Sequence, residues 1–279
     1  MDEDAGSMNR IFNSGAGAIV TKSIGLKPRE GYPNPTVIEL EHGILNAMGL
    51  PNPGIELIKD EIIKLKKYNI TVIGSIFGSN IDEYEKLAEK MQQYKVDALE
   101  LNMSCPHAKG YGLEIGYDSK LVKDITSQVK DSVDIPVFVK LSPNLTNIVN
   151  IARSAEAGNA DAIVAINTIK AMKIDLELKT PILSNKIGGY SGKAIKPVGV
   201  RCVYEISKNV DIPIIGVGGI TTGEDAIEYF MAGASAIQIG SGIYYRGIEI
   251  FKIVCDEIKI WMKKHGYKNL NEIIGVAHL

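Results

Sequence analysis

One cysteine marks where this chain could do chemistry. Cys105 lies in Leu101-Asn102-Met103-Ser104-Cys105-Pro106-His107, after the mostly apolar run Val96 to Leu101 and before Gly110-Tyr111-Gly112. A thiol at the end of a strand, among hydrogen-bonding side chains and glycines, can serve as a base or a nucleophile, or lie inert. No Ser/His/Asp order accompanies it, and a protease-like covalent role lacks its oxyanion context. His107 can pair with the thiol, bind a ligand or close the loop, and Ser104 can hydrogen-bond a water or the thiol.

Other groups recur at similar places. Lys22 follows Ala18-Ile19-Val20-Thr21, and Lys140 follows Val137-Phe138-Val139. A lysine at a strand end in an apolar setting is costly unless it meets an anion or a polarised carbonyl. Two of them suit an electron-rich ring that becomes anionic on reduction, although a snorkelling surface lysine is the plainer alternative. Asn46, Asn102 and Asn167 each carry donors and an acceptor in one plane. As a set they match a planar ligand with alternating C=O and N–H edges, whereas each alone reads as a turn residue. Gly216-Val217-Gly218-Gly219-Ile220 and Gly240-Ser241-Gly242 end two late strands. Such loops cradle phosphate through backbone N–H groups in barrels. Thr221, Thr222 and Gly223 then supply a helix start before Glu224-Asp225. The spacing is not that of a Rossmann dinucleotide fingerprint.

Composition narrows the partners. The 279 residues carry a formal net charge of -2, with no basic cluster to neutralise a nucleic-acid backbone. No apolar run approaches membrane-spanning length. Met1-Asp2-Glu3-Asp4 is too acidic for a signal peptide. Cys105, Cys202 and Cys255 are widely spaced, which fits no disulfide framework or metal knuckle and points to a reducing, cytoplasmic setting. Cys202 and Cys255 fall in helical patterns and read as core. No His/Asp/Glu cluster has metal-ligand spacing, so no metal is expected, and Asp4, His42 and His265 read as surface or structural.

The elements that must position these groups alternate. Strands are expected at Ala18–Thr21, Ile70–Ser75, Ala98–Met103, Pro136–Leu141, Ala162–Ile166, Pro213–Val217 and Ala234–Ile239. Helices are expected at Gly54–Lys67, Ile81–Tyr94, Lys120–Val133, Leu145–Ala157, Pro197–Lys208, Gly223–Ala232 and Gly247–His265. Repeated strand and helix with continuously apolar strands is the parallel α/β pattern. The length and sustained repeat favour one (β/α)8 barrel domain, residues 1–279, over an open sheet. Only seven barrel strands are found. Little chain precedes Ala18, so the first strand is expected to be absent or poorly formed. Residues 172–190 lack a helical pattern and read as an excursion over the mouth.

Together these residues resemble the dihydroorotate dehydrogenase family, most closely the FMN-containing catalytic subunit of the class 1B enzymes. The likeness runs through Thr21-Lys22-Ser23-Ile24, Lys27-Pro28-Arg29-Glu30-Gly31, Asn46 to Gly54, Leu101 to Pro106, Ile166-Asn167-Thr168, Gly188 to Pro197, Gly216 to Ile220 and Gly240-Ser241. The resemblance implies an FMN-linked barrel that oxidises (S)-dihydroorotate to orotate in pyrimidine biosynthesis. It implies that Cys105 takes a proton from C5 while a hydride leaves C6 for the flavin, and that Lys22 bridges flavin and substrate. It assigns Asn46, Met48, Gly49, Leu50, Asn102, His107, Asn167 and Thr168 to the pyrimidine. Lys22, Lys140, Ile166, Gly192, Gly218, Gly219, Gly240 and Ser241 go to the flavin and its phosphate. It also implies a homodimer and a partner subunit carrying FAD and a [2Fe–2S] cluster that passes electrons to NAD. Two departures stand out. His107 replaces the family's usual Asn; with Leu141-Ser142-Pro143-Asn144 it also resembles the flavin domain of dihydropyrimidine dehydrogenase, whose substrates are uracil and thymine. Family members also normally have a longer N-terminal stretch with a first strand and an Ala-Ser-Gly flavin loop. A barrel that binds a phosphorylated ligand without turnover is the alternative of a different class.

Overall fold

The computed structural model describes residues 4–103 and 113–278. In chain order the elements begin α1 (Ala5–Asn13), β1 (Ile19–Val20), β2 (Val37–Leu40), β3 (Gly43–Asn46), α2 (Ile55–Lys67), β4 (Val72–Ile76), α3 (Ile81–Gln93) and β5 (Ala98–Asn102). They continue α4 (Leu113–Tyr117), α5 (Ser119–Ser132), β6 (Val137–Leu141), α6 (Ile148–Ala157), β7 (Ala162–Ala165), β8 (Ile169–Ala171), β9 (Ile174–Asp175), β10 (Thr180–Pro181) and β11 (Gly188–Ser191). The chain closes with α7 (Lys196–Ser207), β12 (Ile214–Val217), α8 (Gly223–Met231), β13 (Ala236–Gln238), α9 (Gly242–Arg246) and α10 (Ile250–His265).

Seven parallel strands form the main sheet in the order β1-β4-β5-β6-β7-β12-β13. The sheet is strongly curled. In a flat sheet β5 and β13, four places apart, would lie about 19 Å from one another. Instead Gln238 Nε2 on β13 donates to Glu100 Oε2 on β5 at 2.8 Å. This is a TIM-barrel-type wall whose edges are β1 and β13, where a fully closed barrel has none. The wall strands are rich in Val, Ile, Leu and Ala because helices cover one face. On β6, Val137, Val139 and Leu141 are buried while Phe138 and Lys140 are half-buried. The helices bring matching stripes: Ile58, Ile62 and Leu65 of α2, and Val122, Ile125 and Val129 of α5, join the same core. None of the described helices is long and apolar enough to cross a membrane.

Several sequence expectations are corrected. The strands are shorter than their apolar runs, because pairing stops before the hydrophobic residues do. Residues 5–13, given no element, form a helix. Asp4 caps it by accepting the Ser7 N–H, and Ala5 and Met8 are buried beneath it. The span Gly247–His265 begins as a helix only at Ile250, and α9 precedes it. Cys202 is buried as expected, but Cys255 is exposed. The buried line of α10 runs Ile250, Val254, Ile258, and Cys255 sits one residue off that stripe. A second, antiparallel sheet, β2-β3-β11-β8, was not anticipated. It pairs Gly189 with Asn46, bringing residues from the 172–190 segment beside the first asparagine of the set.

Candidate active site

The strand ends carry a relay of hydrogen bonds across the mouth. Ser23, just beyond β1, and Ser75 of β4 share one at 2.9 Å. Asn102 Nδ2 at the end of β5 donates to Ser23 Oγ at 2.9 Å. Asn167 Nδ2, beyond β7, donates to Asn102 Oδ1 at 3.3 Å, and its own Oδ1 accepts the Thr168 N–H at 2.8 Å. Asn102 and Asn167, distant in sequence, therefore meet directly. Their amide orientations are fixed from both sides, which is the property a planar polar ligand needs. Lys22 is half-buried beside this relay, and Thr21 donates to its carbonyl at 2.9 Å. Ser23 lies in the Thr21-Lys22-Ser23-Ile24 block but has no role assigned from sequence, and Ser75 is not singled out there.

Below the relay lies a charged lumen. Lys140 Nζ donates to Glu100 Oε1 and to Gln238 Oε1, each at 3.2 Å. Glu100 is 2% exposed. A buried carboxylate needs a paired cation or hydrogen-bond donors, and here it has both. Sequence reasoning found Lys140 and missed its two partners. The signal was present: Glu100 is a lone charge inside the apolar run Ala98 to Leu101, and Gln238 a lone amide between Ile237 and Ile239.

The carbonyls of the Asn46 to Leu50 turn are held by hydrogen bonds. The Met48 carbonyl accepts from the Tyr32 N–H at 3.0 Å, the Gly49 carbonyl from Arg29 Nε at 2.6 Å and the Leu50 carbonyl from Asn52 Nδ2 at 2.9 Å. Within a trans peptide the C=O and N–H point opposite ways. The held Met48 and Gly49 carbonyls thus turn the Gly49 and Leu50 N–H groups away from those partners. Asn52 is 5% exposed and also accepts from the Gly25 and Gly54 amides. It holds its own loop in shape and ties it to the β1–β2 connection, a role its residue type alone does not signal. Asn46 itself donates to the Gly189 carbonyl at 3.2 Å, so one of its donors is already used by the fold.

The glycine loops lie at the ends of β12 and β13. The expected helix start at Thr222 is present as a capping box. It is not open to a phosphate, however. Asp225 Oδ2 accepts from the Thr221 and Thr222 amides, and Glu257 Oε2 from the Gly223 amide at 2.6 Å. Burial works against the Asp225 carboxylate, but hydrogen bonds from Lys196 and Thr221 outweigh it and hold its pKa below the ordinary value. A depressed folded pKa stabilises fully at neutral pH, and that stabilisation is lost as pH falls through the depressed value. Asp225→Asn is therefore expected to lower the melting temperature at neutral pH and to converge on the parent in strong acid. Circular dichroism melts across pH check this. Gly218-Gly219 and Gly240-Ser241 follow the ends of β12 and β13. Gly219 has φ +70°, and a Cβ there would lie 2.8 Å from the Gly192 carbonyl, so only glycine suits this contact.

Ile166 is 1% exposed at the end of β7, and its N–H donates to the Val217 carbonyl. Cys105 and His107 lie outside the described residues. Burial pushes the Cys202 thiol up to about 11, so it is a protonated core group. Among the described residues no group of His, Cys, Asp and Glu is placed to hold a metal.

A curled parallel sheet with a charged lumen and convergent amides at its carboxyl ends defines a barrel enzyme with its reaction centre at that mouth. A solved structure of DHODH in complex with ferulenol from Eimeria tenella has this fold: it superposes with a TM-score of 0.85 at 23% identity, covering 99% of this chain and 83% of that one. The family model for dihydroorotate dehydrogenase matches residues 1–262. Named relatives agree. The "Dihydroorotate dehydrogenase B (NAD(+)), catalytic subunit" of Methanocaldococcus jannaschii is 53% identical, covering 100% of this chain and 92% of the relative. That of Pyrococcus horikoshii is 52% identical over 97% of this chain and 88% of the relative. The chain belongs to the dihydroorotate dehydrogenase family.

Proposed function

We propose that this chain oxidises (S)-dihydroorotate to orotate in pyrimidine biosynthesis, as the FMN-bearing catalytic subunit of an NAD-linked dehydrogenase. The observation that carries the reading is the Ser23–Asn102–Asn167–Thr168 relay at the strand ends, with Lys140 on the strand next to Asn102. The residues fit FMN. The lumen offers an ammonium and an amide to a polar ring edge, and the glycine loops leave space only a Cβ-free backbone provides. Lys22, Lys140 and Ile166 would hold the ring, and Gly192, Gly218, Gly219, Gly240 and Ser241 its ribityl phosphate. When bound, FMN supplies the acceptor for the hydride that leaves C6 of the substrate.

The chain's own residues do the rest. Asn102, Asn167, Asn46 and Thr168 fix the pyrimidine edges. Gly49 and Leu50 direct N–H groups at the substrate carboxylate, with Met48 beside them. Cys105 takes the C5 proton, and His107 donates to a pyrimidine carbonyl. Residues 172–190 border the mouth of a single barrel domain. The relatives' designation as NAD(+)-linked catalytic subunits supports a partner that takes the electrons onward. We further propose that this partner carries FAD and a [2Fe–2S] cluster leading to NAD, and that the barrels pair as a homodimer in the cytoplasm.

The carboxylate distinguishes orotate from uracil. A site with donors built for a group rejects the analogue lacking it strongly. Orotate is expected to bind the FMN-loaded protein at least about a hundredfold more tightly than uracil, read from the perturbation of the flavin spectrum. Equal affinities, or tighter uracil, would turn the assignment toward dihydropyrimidine dehydrogenase chemistry.

A further inference from the structure

Tyr229 lies behind the glycine loop and is part of no motif. It is fully buried on α8, and its hydroxyl donates to the Gly218 carbonyl at 2.7 Å and approaches the Val217 carbonyl at 3.2 Å. A phenol has one proton, so the shorter contact is the principal bond; Val217 is already served by the Ile166 N–H at 3.0 Å. Two glycines make room for the ring. A Cβ at Gly199 of α7 would lie 1.9 Å from the Tyr229 hydroxyl, and one at Gly216 of β12 would lie 2.5 Å from its ring. Burial pushes the phenol's pKa well up, so it stays a donor.

The consequence is directional. The Gly218 carbonyl and the Gly219 N–H share one peptide plane and point opposite ways. Tyr229 holds the carbonyl toward α8 and so turns the Gly219 N–H to the other face of the loop. Precision matters here because two nearby cations are already engaged. Lys196 meets Asp225 at 2.9 Å and Glu228 at 2.8 Å, and Arg246 meets Glu257 at 2.8 Å. With Lys196 and Arg246 committed to carboxylates, oriented backbone amides become the main local donors for an anion at this loop.

We propose that Tyr229 is a positioning residue for phosphate recognition: it sets the Gly218–Gly219 peptide so that this barrel prefers a phosphorylated flavin to the unphosphorylated one. The inference rests on the assignment of the flavin phosphate to this loop. Its test uses the full chain freed of flavin, with FMN and riboflavin as probes and fluorescence quenching as the readout. The parent protein is expected to bind FMN far more tightly than riboflavin. Tyr229→Phe keeps the ring that fills the space beside Gly199 and Gly216. It is expected to weaken FMN about tenfold and leave riboflavin unchanged. Unchanged FMN affinity would overturn the proposal. Loss of both ligands by the same factor would overturn it too, because the hydroxyl would then serve only general packing. A parent protein that binds the two flavins equally would instead refute the phosphate assignment beneath it.

Discussion

Cys105→Ala is expected to slow reduction of the bound flavin by dihydroorotate by about a hundredfold to ten-thousandfold, the range a positioned general base contributes. Flavin and orotate affinity should change little, because the proposed recognition donors are on Asn46, Gly49, Leu50, Asn102 and Asn167. An ordinary thiol ionises near about pH 8.5. The parent rate is therefore expected to climb toward alkaline pH, and Cys105→Ser to keep a small rate only at high pH. Anaerobic stopped-flow mixing isolates this half-reaction from any electron acceptor. A rate unchanged in the alanine variant would remove Cys105 from the chemistry.

Lys140→Met is expected to cost about 3 kcal/mol or more in stability. The reason lies in what it leaves behind. Glu100 stays buried with, among the described residues, only the Gln238 amide as a hydrogen-bond partner. Removing one partner of a buried pair strands a charge, which is costlier than removing both. Adding Glu100→Gln should recover much of the loss, although the double variant should still bind flavin poorly for want of the ammonium. Denaturant unfolding of the single and double variants measures this coupling. Additive losses would mean that the lumen pair at 3.2 Å has no energetic weight.

Much of the fold was legible because the apolar runs are short, regularly spaced and separated by amphipathic stretches. The strand-end residues Lys22, Asn102, Lys140 and Asn167 stood out for the same reason, as polar groups closing apolar runs. What stayed hidden depends on contacts between distant segments. Helix α1 is held by the burial of Ala5 and Met8 against the core, which its short sequence does not announce. Strand β11 is Gly-Gly-Tyr-Ser, a poor strand former, and exists because Asn46 and its neighbours pair with it. The helix start at Thr222 was read correctly, but what closes its amides was not. Glu257, thirty-four residues on, reaches back to the Gly223 amide. Asn52 and Tyr229 matter for what they fix in other loops, and single-residue type carries no trace of that.

The most direct measurement is a single turnover without oxygen or any second acceptor. The FMN-loaded chain is mixed with a stoichiometric amount of (S)-dihydroorotate, and the flavin absorbance and the orotate formed are followed together. The yellow flavin band is expected to bleach in step with the appearance of one orotate per flavin, while dihydrouracil leaves the band intact. A flavin that stays oxidised with dihydroorotate, or that bleaches with dihydrouracil instead, would contradict the account.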